Sequence, residues 1–454
     1  MNLPNYFLAD LPPEATLSPD MLGEACRTLR RNRERYLVPH STHSLVNLLC
    51  SVAKSWLDPE YPLRKLALEQ GPAATGFSSP TLANGLDSFF KQLTPEAFQA
   101  LLEQDLGHPQ RLDHLSATPA ERQFRRSAVA TGPELLVHIT AGNLPSPALS
   151  SIVLGVLVRS AQFVKCASGS SLVPRLFAHS LYDAEPKLGA CLEIAEWQRG
   201  QLELEQTLFE QADCLTATGS DQAVADIRQR LPAETRFLAY GHRVSFAFVS
   251  HEALSVSSER QLVAQAATDI IAWNQLGCLS PHVIYIQQGG SLGPEQFAEV
   301  LARELERREE LEPRGELPTE IGAAIASRRA LYEVRAAHAP DTTRHWCSKN
   351  STSWTVVYEA DPRFQVSCLH RFIYVKSVKD LTEALQAADS IRGKVSTVGL
   401  AAPPHQVQDL ATELARWGAS RVCPLGQMQQ PPLTWRHDGR PALRDLVTWT
   451  DWET

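Results

Sequence analysis

Beyond about residue 131 the chain alternates short apolar runs with longer segments whose apolar residues recur every three to four positions. "ELLVHITAG" reads as a strand, followed by a helix through "ALSSIVLGVLVRS". The series continues with "AQFVKCAS" (strand), "VPRLFAHSLYD" (helix), "ADCLTATGS" (strand into turn), "DQAVADIRQRL" (helix) and "SFAFVS" (strand). A second set runs through "HVIYIQ", the helix "GPEQFAEVLARELERREE", "WTVVYE", "RFIYVKSV", the helix "KDLTEALQAADSI", "VSTVGL", another helix and "SRVCPL". Such alternation predicts parallel sheets wrapped by helices. Residues 1–125 instead read as helical, as in "PDMLGEACRTLRRNRERYL" and "TPEAFQALLEQDL". The basic run "RTLRRNRERY" reads as a solvated helix face. "CPLGQMQQPPLTWRHDGRP" is rich in Pro and Gly and reads as irregular. The fold class is therefore α/β. A helical region over 1–125 precedes one Rossmann-like α/β unit over 126–250 and a second over 251–425, with an irregular tail over 426–454.

A chain of 454 residues exceeds a single simple core, which agrees with several units. Net charge is −8, against the basic excess of a general nucleic-acid binder. The start, "MNLPNYFLADLPPEA", has neither the basic nor the apolar region of a signal peptide. The longest apolar run, "LPSPALSSIVLGVLV", holds two prolines and falls short of the roughly 20 residues a membrane span needs. Nine scattered cysteines with no CxxC pair suit free thiols in a reducing cytoplasm, the expected location. No HExxH occurs, and no metal is expected.

Candidate chemistry begins at "AWNQLGCLSPHV", residues 272–283. Cys278 sits there in polar, turn-forming company, either as an ordinary thiol at a helix end or as a nucleophile within reach of substrate. Parallel sheets bind ligands beyond the C-terminal ends of their strands, where helix N-termini offer N–H groups to phosphates. Three such ends stand out: Gly142 and Asn143 in "HITAGNLPSP", Lys165 in "FVKCASGSS", and Thr218, Gly219 and Ser220 in "TATGSD". Taken singly, each reads equally as a turn former or a surface lysine. GxGxxG, Walker A and GxSxG are all absent.

In order, these segments resemble the aldehyde dehydrogenase superfamily, and within it the LuxC-like acyl-CoA reductases of the luminescence fatty-acid reductase type. The C-terminal "RVCPLGQMQQPPLTWRHDGRPALRDLVTW" is the most specific part of the likeness, which spans roughly residues 110–454. The resemblance implies an aldehyde dehydrogenase-like fold with a nicotinamide-dinucleotide domain and a catalytic domain bearing Cys278 as nucleophile. It implies an oxyanion-hole amide from Asn143, near Pro145. Lys165 to Ser168 would hold the adenosine ribose, and Thr218, Gly219 and Ser220 would meet the pyrophosphate. Thr140, Ala141 and Gly241 fall on the cofactor side. Two departures matter. Hydrolytic relatives carry a glutamate base in Glu-Leu-Gly-Gly-Lys, and "LAYGHRV" puts Ala239 there. Their Glu-x-Phe-Gly-Pro motif is replaced by "SCLHRFIYV".

The resemblance thus implies reduction of a fatty acyl thioester, or another activated acyl group, to an aldehyde through a Cys278 acyl-enzyme. NADPH is expected over NADH, because Ser168 does not repel a 2′-phosphate and Lys165 can pair with it. The expected donor is an acyl-CoA, with an acyl-adenylating partner protein as the alternative, and a homo-oligomer is expected. Rival readings are an acyltransferase or acyl-carrier subunit without redox chemistry, a hydrolytic aldehyde dehydrogenase, and a non-catalytic scaffold.

Overall fold

A computed structural model describes residues 3–12, 14–254 and 258–453. Its strands are β1 (Arg126–Thr131), β2 (Leu135–Ile139), β3 (Ala161–Cys166), β4 (Leu192–Glu196), β5 (Cys214–Thr218), β6 (Arg236–Tyr240), β7 (Val244–Val249), β8 (Pro281–Gln287), β9 (Thr343–Cys347), β10 (Thr355–Glu359), β11 (Phe372–Val378), β12 (Val395–Ala401), β13 (Val422–Pro424) and β14 (Thr448–Glu453). A five-stranded parallel sheet has the order β4-β3-β2-β5-β6. A seven-stranded sheet has the order β13-β12-β7-β8-β11-β10-β9, with only β9 antiparallel. Every residue of β3, β7, β11 and β12 is buried, as expected of parallel strands covered by helices on both faces.

The N-terminal helices start where the sequence caps them. Ser18, Ser41, Ser78 and Thr94 each accept a backbone N–H of the first turn, and proline follows within two residues at three of the four. These helices form no core of their own. Trp56 stacks on Phe90 and donates to the Ser180 hydroxyl, so residues 42–106 share one apolar core with the helices Ser146–Leu157 and Leu172–Ala184.

Three expectations are corrected. First, β7 leaves the first sheet and pairs with β8 and β12, so the change of sheet falls in the β6–β7 turn and not near residue 250. An all-apolar strand satisfies either sheet, and only long-range pairing decides between them. Second, the tail beyond 426 is not irregular throughout. β14 forms an antiparallel ladder with β1, from Arg126 opposite Glu453 to Thr131 opposite Thr448. Third, the basic run is not wholly solvated. Arg33 is buried and donates to the carbonyls of Arg159 and Gly132, while Arg30 pairs with Glu134 and Asp213. A guanidinium with five donors can satisfy carbonyls that helix and sheet leave unpaired.

Two runs of three residues adopt left-handed backbone without glycine: Trp273, Asn274 and Gln275 (φ 51°, 51° and 65°), and Leu369, His370 and Arg371 (φ 64°, 57° and 67°). Side chains lock the two runs together. Arg371 Nε donates to Asn274 Oδ1 at 3.0 Å, and Gln275 Nε2 donates to the carbonyls of Pro281 and Phe372 at 2.7 and 2.9 Å. Arg371 also pairs with Glu309 at 2.8 Å, and Asn274 donates to the Arg314 carbonyl at 2.7 Å. Left-handed backbone costs an L-residue roughly 1–2 kcal/mol, so these buried bonds must hold it in place. Arg371→Ala strands the Asn274 and Glu309 oxygens and is expected to destabilise the second unit by about 3–5 kcal/mol. Arg371→Lys should not restore the loss, because one ammonium lacks the forked geometry. Denaturant midpoints of the three proteins check this, and an unchanged midpoint for Arg371→Ala would remove the lock from the account.

Candidate active site

The helix Glu259–Ile271 ends in the left-handed run, and the chain then turns through Leu276–Ser280 into β8. Three separate parts of the molecule hold that turn. From the first unit, Asn143 Nδ2 donates to the Leu276 carbonyl at 2.9 Å. From β7, the Ser245 hydroxyl donates to the Cys278 carbonyl at 2.7 Å. From the C-terminal segment, Gln429 Nε2 donates to the Ser280 hydroxyl at 2.5 Å. Gly277 gives the turn room: a Cβ there would lie 3.0 Å from Gln429 Oε1 and 3.2 Å from Leu144 Cδ1, so those side-chain ends would have to shift.

Cys278 is half-buried and lines the wall of a cavity of about 210 Å³. One water needs only ~10–15 Å³, so this space suits a larger guest. The walls are mainly apolar. They comprise Gly85 and Phe89 of the helix Ser79–Phe90, Pro147 and Leu154 of the helix Ser146–Leu157, Trp273, Leu279, and Pro431, Leu433 and Trp435 of the C-terminal segment. Burial, aided by the Asp438 carboxylate, pushes the Cys278 thiol up to about 11; the Ser396 hydroxyl and Arg243 oppose the shift. Ser396 lies at a register shift in the β12–β7 pairing, the kind of irregularity that re-aims a side chain. Two histidines nearby are already engaged. His138 contacts Thr216 Oγ1 at 2.7 Å and Gln162 Oε1 at 3.0 Å, and His282 Nδ1 accepts from the Ser367 amide at 3.0 Å; burial lowers both to about 4.

A second cavity, about 500 Å³, opens beyond the C-terminal ends of β2, β3 and β5, between the helices Leu202–Gln211 and Asp221–Arg230. Thr140, Ala141, Lys165, Ala167, Thr218 and Gly219 line it. Salt bridges Arg199–Asp226 (2.5 Å) and Arg230–Glu205 (2.6 Å) involve four more of its lining residues. Lys165 is buried with Nζ 5.4 Å from the Trp197 ring; burial lowers its pKa, while Glu205 and Glu196 oppose that. Thr218 lines both cavities.

The residues singled out in the sequence therefore separate. Thr140, Ala141, Lys165, Thr218 and Gly219 share the second cavity. Cys278 lines the first, and Asn143 is exposed beside its turn. Ser168 is exposed and lies outside the lining of the second cavity. The Ser220 hydroxyl caps the helix Asp221–Arg230 by accepting from the Ala223 amide. Gly241 packs on Asp221, where a Cβ would come within 2.5 Å of Oδ1, the atom that accepts the His242 amide at 2.8 Å.

Sequence reasoning missed the wall contributed by the helix Ser79–Phe90, whose apolar spacing reads only as core. It missed Glu196, which accepts the Gly169 and Ser171 amides at 2.6 and 3.2 Å. It also missed His437, which lines the Cys278 cavity. The one local signal there is the Asp438-Gly439 pair, a turn dipeptide with φ of 53° and 76°.

A family model described as "Acyl-CoA reductase (LuxC)" matches residues 37–449. The long-chain acyl-protein thioester reductase of Aliivibrio fischeri is 23% identical over 425 residues, covering 90% of this chain and 82% of that protein. Long-chain acyl-protein thioester reductase 2 of Photobacterium leiognathi is 22% identical over 419 residues, with the same coverage of 90% and 82%. Among solved structures, a protein assigned as an aldehyde dehydrogenase from Burkholderia cenocepacia superposes with TM-score 0.71 at 14% identity, covering 98% of this chain and 95% of that one. The NADP-dependent glyceraldehyde-3-phosphate dehydrogenase of Bacillus halodurans, solved with NADP, gives TM-score 0.67 at 13% identity, covering 96% and 92%. The fold is aldehyde dehydrogenase-like. No helix among the described residues is long and apolar enough to cross a membrane.

Asn143→Ala should leave global stability within about 0.5 kcal/mol, because the side chain is exposed. Loss of its bond to Leu276 should nevertheless speed amide hydrogen exchange across 276–279. Unchanged exchange there would mean that Asn143 does not hold the turn.

Proposed function

The chain belongs to the LuxC family of acyl-CoA reductases, and from that premise we propose that it reduces a long-chain acyl thioester to the aldehyde through a thioester on Cys278, with NADPH as reductant. One observation carries the reading: Cys278 faces an apolar cavity that meets the strand-end cleft at Thr218. An acyl chain fits the first space and a dinucleotide the second. In the second, Arg199 and Arg230 are balanced by Asp226 and Glu205, Lys165 adds a further positive charge, and the Glu196 carboxylate is spent on two backbone amides. The donor is an acyl-CoA or an acyl-adenylating partner protein.

The residues divide the work as follows. Cys278 attacks the thioester carbonyl, and the donor thiol leaves. Asn143 Nδ2 has a second N–H beyond the one given to Leu276, and with the Cys278 backbone N–H it can meet the developing oxyanion. Thr140, Lys165, Thr218 and Gly219 would hold a reduced nicotinamide cofactor in the cleft, and it would supply the hydride that the Cys278 thioester accepts. The resulting hemithioacetal collapses to aldehyde and returns the Cys278 thiolate. Ala239, at the position of the hydrolytic glutamate, cannot serve as that carboxylate base to water.

Incubation with tetradecanoyl-CoA in the absence of nicotinamide should leave an acyl adduct that peptide mass mapping assigns to Cys278 and that Cys278→Ala abolishes. An adduct on Cys166 or Cys423 would refute the assignment.

Gly85 forms part of the cavity wall, and a Cβ there would sit 2.1 Å from the Trp273 ring. Gly85→Ala must displace that ring, an overpacking strain of about 1–3 kcal/mol. It should raise KM for tetradecanoyl-CoA several-fold while leaving butanoyl-CoA nearly unchanged. Equal effects on both would place the chain elsewhere.

Lys165→Met should weaken NADPH binding, followed by nicotinamide fluorescence, more than NADH binding. Equal losses would mean that the lysine does not meet a 2′-phosphate.

A further inference from the structure

We propose that His437 carries the proton of acyl transfer, taking it from the Cys278 thiol and giving it to the departing thiol. The inference rests on the reading of Cys278 as the acylated residue.

The placement of His437 is built from elements far apart in sequence. Its ring stacks on Tyr240, the last residue of β6, with centroids 4.3 Å apart and planes inclined by 11°. Trp435 packs on it at 4.6 Å. Both rings and the imidazole line the cavity that holds Cys278. His138 has both ring nitrogens engaged by neighbours, and His282 has its Nδ1 engaged by the Ser367 amide. Among the described residues no hydrogen bond reaches the His437 ring, and Asp438 Oδ1 lies 4.0 Å from Nε2. Asp438 is buried in left-handed backbone (φ 53°), and its carboxylate meets Arg243 of the β6–β7 turn at 3.3 Å. A histidine held by one stacked ring and one tilted ring, with no hydrogen bond to its nitrogens among the described residues, has those nitrogens uncommitted. It has the cavity in front of it.

The electrostatics agree with that geometry. Burial holds the His437 pKa below its ordinary value; Arg243 and Arg440 push the same way and Asp438 opposes them. The imidazole is therefore neutral at neutral pH and free to accept. The thiol, pushed up to about 11, is protonated there and needs an acceptor. In the step, the Cys278 S–H bond breaks and its proton moves to the imidazole as sulfur bonds to the acyl carbon. The bond from that carbon to the donor sulfur then breaks, and the imidazolium proton passes to the leaving thiolate. Atoms and charge balance, with no net oxidation.

The test is single-turnover acylation by tetradecanoyl-CoA without nicotinamide, following released thiol and the adduct on Cys278 from pH 5 to 10. The wild-type rate should be flat across neutral pH and fall only below about 6.5, the ordinary histidine value. In His437→Gln the rate should drop about 10²–10⁴-fold at pH 7. It should then rise about tenfold per pH unit, tracking the thiolate, and approach wild type at the alkaline end. Dinucleotide binding and near-ultraviolet circular dichroism should be unchanged. Asp438→Asn is a second probe. It removes the group that raises the His437 pKa, so the acid limb should move to lower pH. A flat profile in His437→Gln, or the same loss at every pH, would overturn the proposal while the adduct on Cys278 still stands. An acid limb unmoved in Asp438→Asn would also overturn it. No adduct on Cys278 in the wild type at any pH would overturn the acyl-enzyme reading, and this one with it.

Discussion

The contact between Arg371 and Asn274 binds together two backbone runs that L-residues adopt only under constraint. One run aims the turn that presents Cys278. The other leads directly into β11. Each run would relax alone, since left-handed backbone costs about 1–2 kcal/mol per residue. Arg371, Asn274 and Gln275 hold both with bonds that only this geometry satisfies. A thiol raised to about 11 by its surroundings has little margin for misplacement. The rigidity of the turn therefore bears on the chemistry proposed for Cys278 as much as on the fold.

The C-terminal segment is the second support. Asp269 accepts the amides of Gly426 and Met428 at 2.6 and 2.9 Å, anchoring the segment to the helix that leads to Cys278. From there it supplies Gln429 to the turn at Cys278, Trp435 and His437 to the cavity, and β14 to the ladder on β1. The active site is thus closed by residues remote in sequence from those that open it.

Much of the fold was legible because its strands say so locally. β2, β3, β8, β10, β11 and β12 carry runs of Val, Ile and aromatic residues that only buried strands need. β4, β6 and β9, in contrast, interleave charged or polar residues that interrupt the pattern, as in "LEIAE" and "TRHWC". The sheet to which β7 belongs has no local signature at all. In the candidate site, strand-end residues such as Thr140, Lys165 and Thr218 could be found because topology alone places strand ends at a ligand. His437, Glu196 and the wall from Gly85 to Phe89 were illegible. Their roles depend on which distant segment they face, and a helix such as Ser79–Phe90 spaces its cavity-facing residues just as it spaces its core.

Thr218 belongs to the walls of both cavities. Two guests that share a wall cannot bind independently unless their contacts with it are indifferent to each other. Linkage then makes the influence mutual: by whatever factor an acyl group on one side alters the affinity for a dinucleotide, the dinucleotide alters the affinity for the acyl group by the same factor. A single side chain at the end of β5 is thereby placed to couple the two ligands equally, whichever loads first.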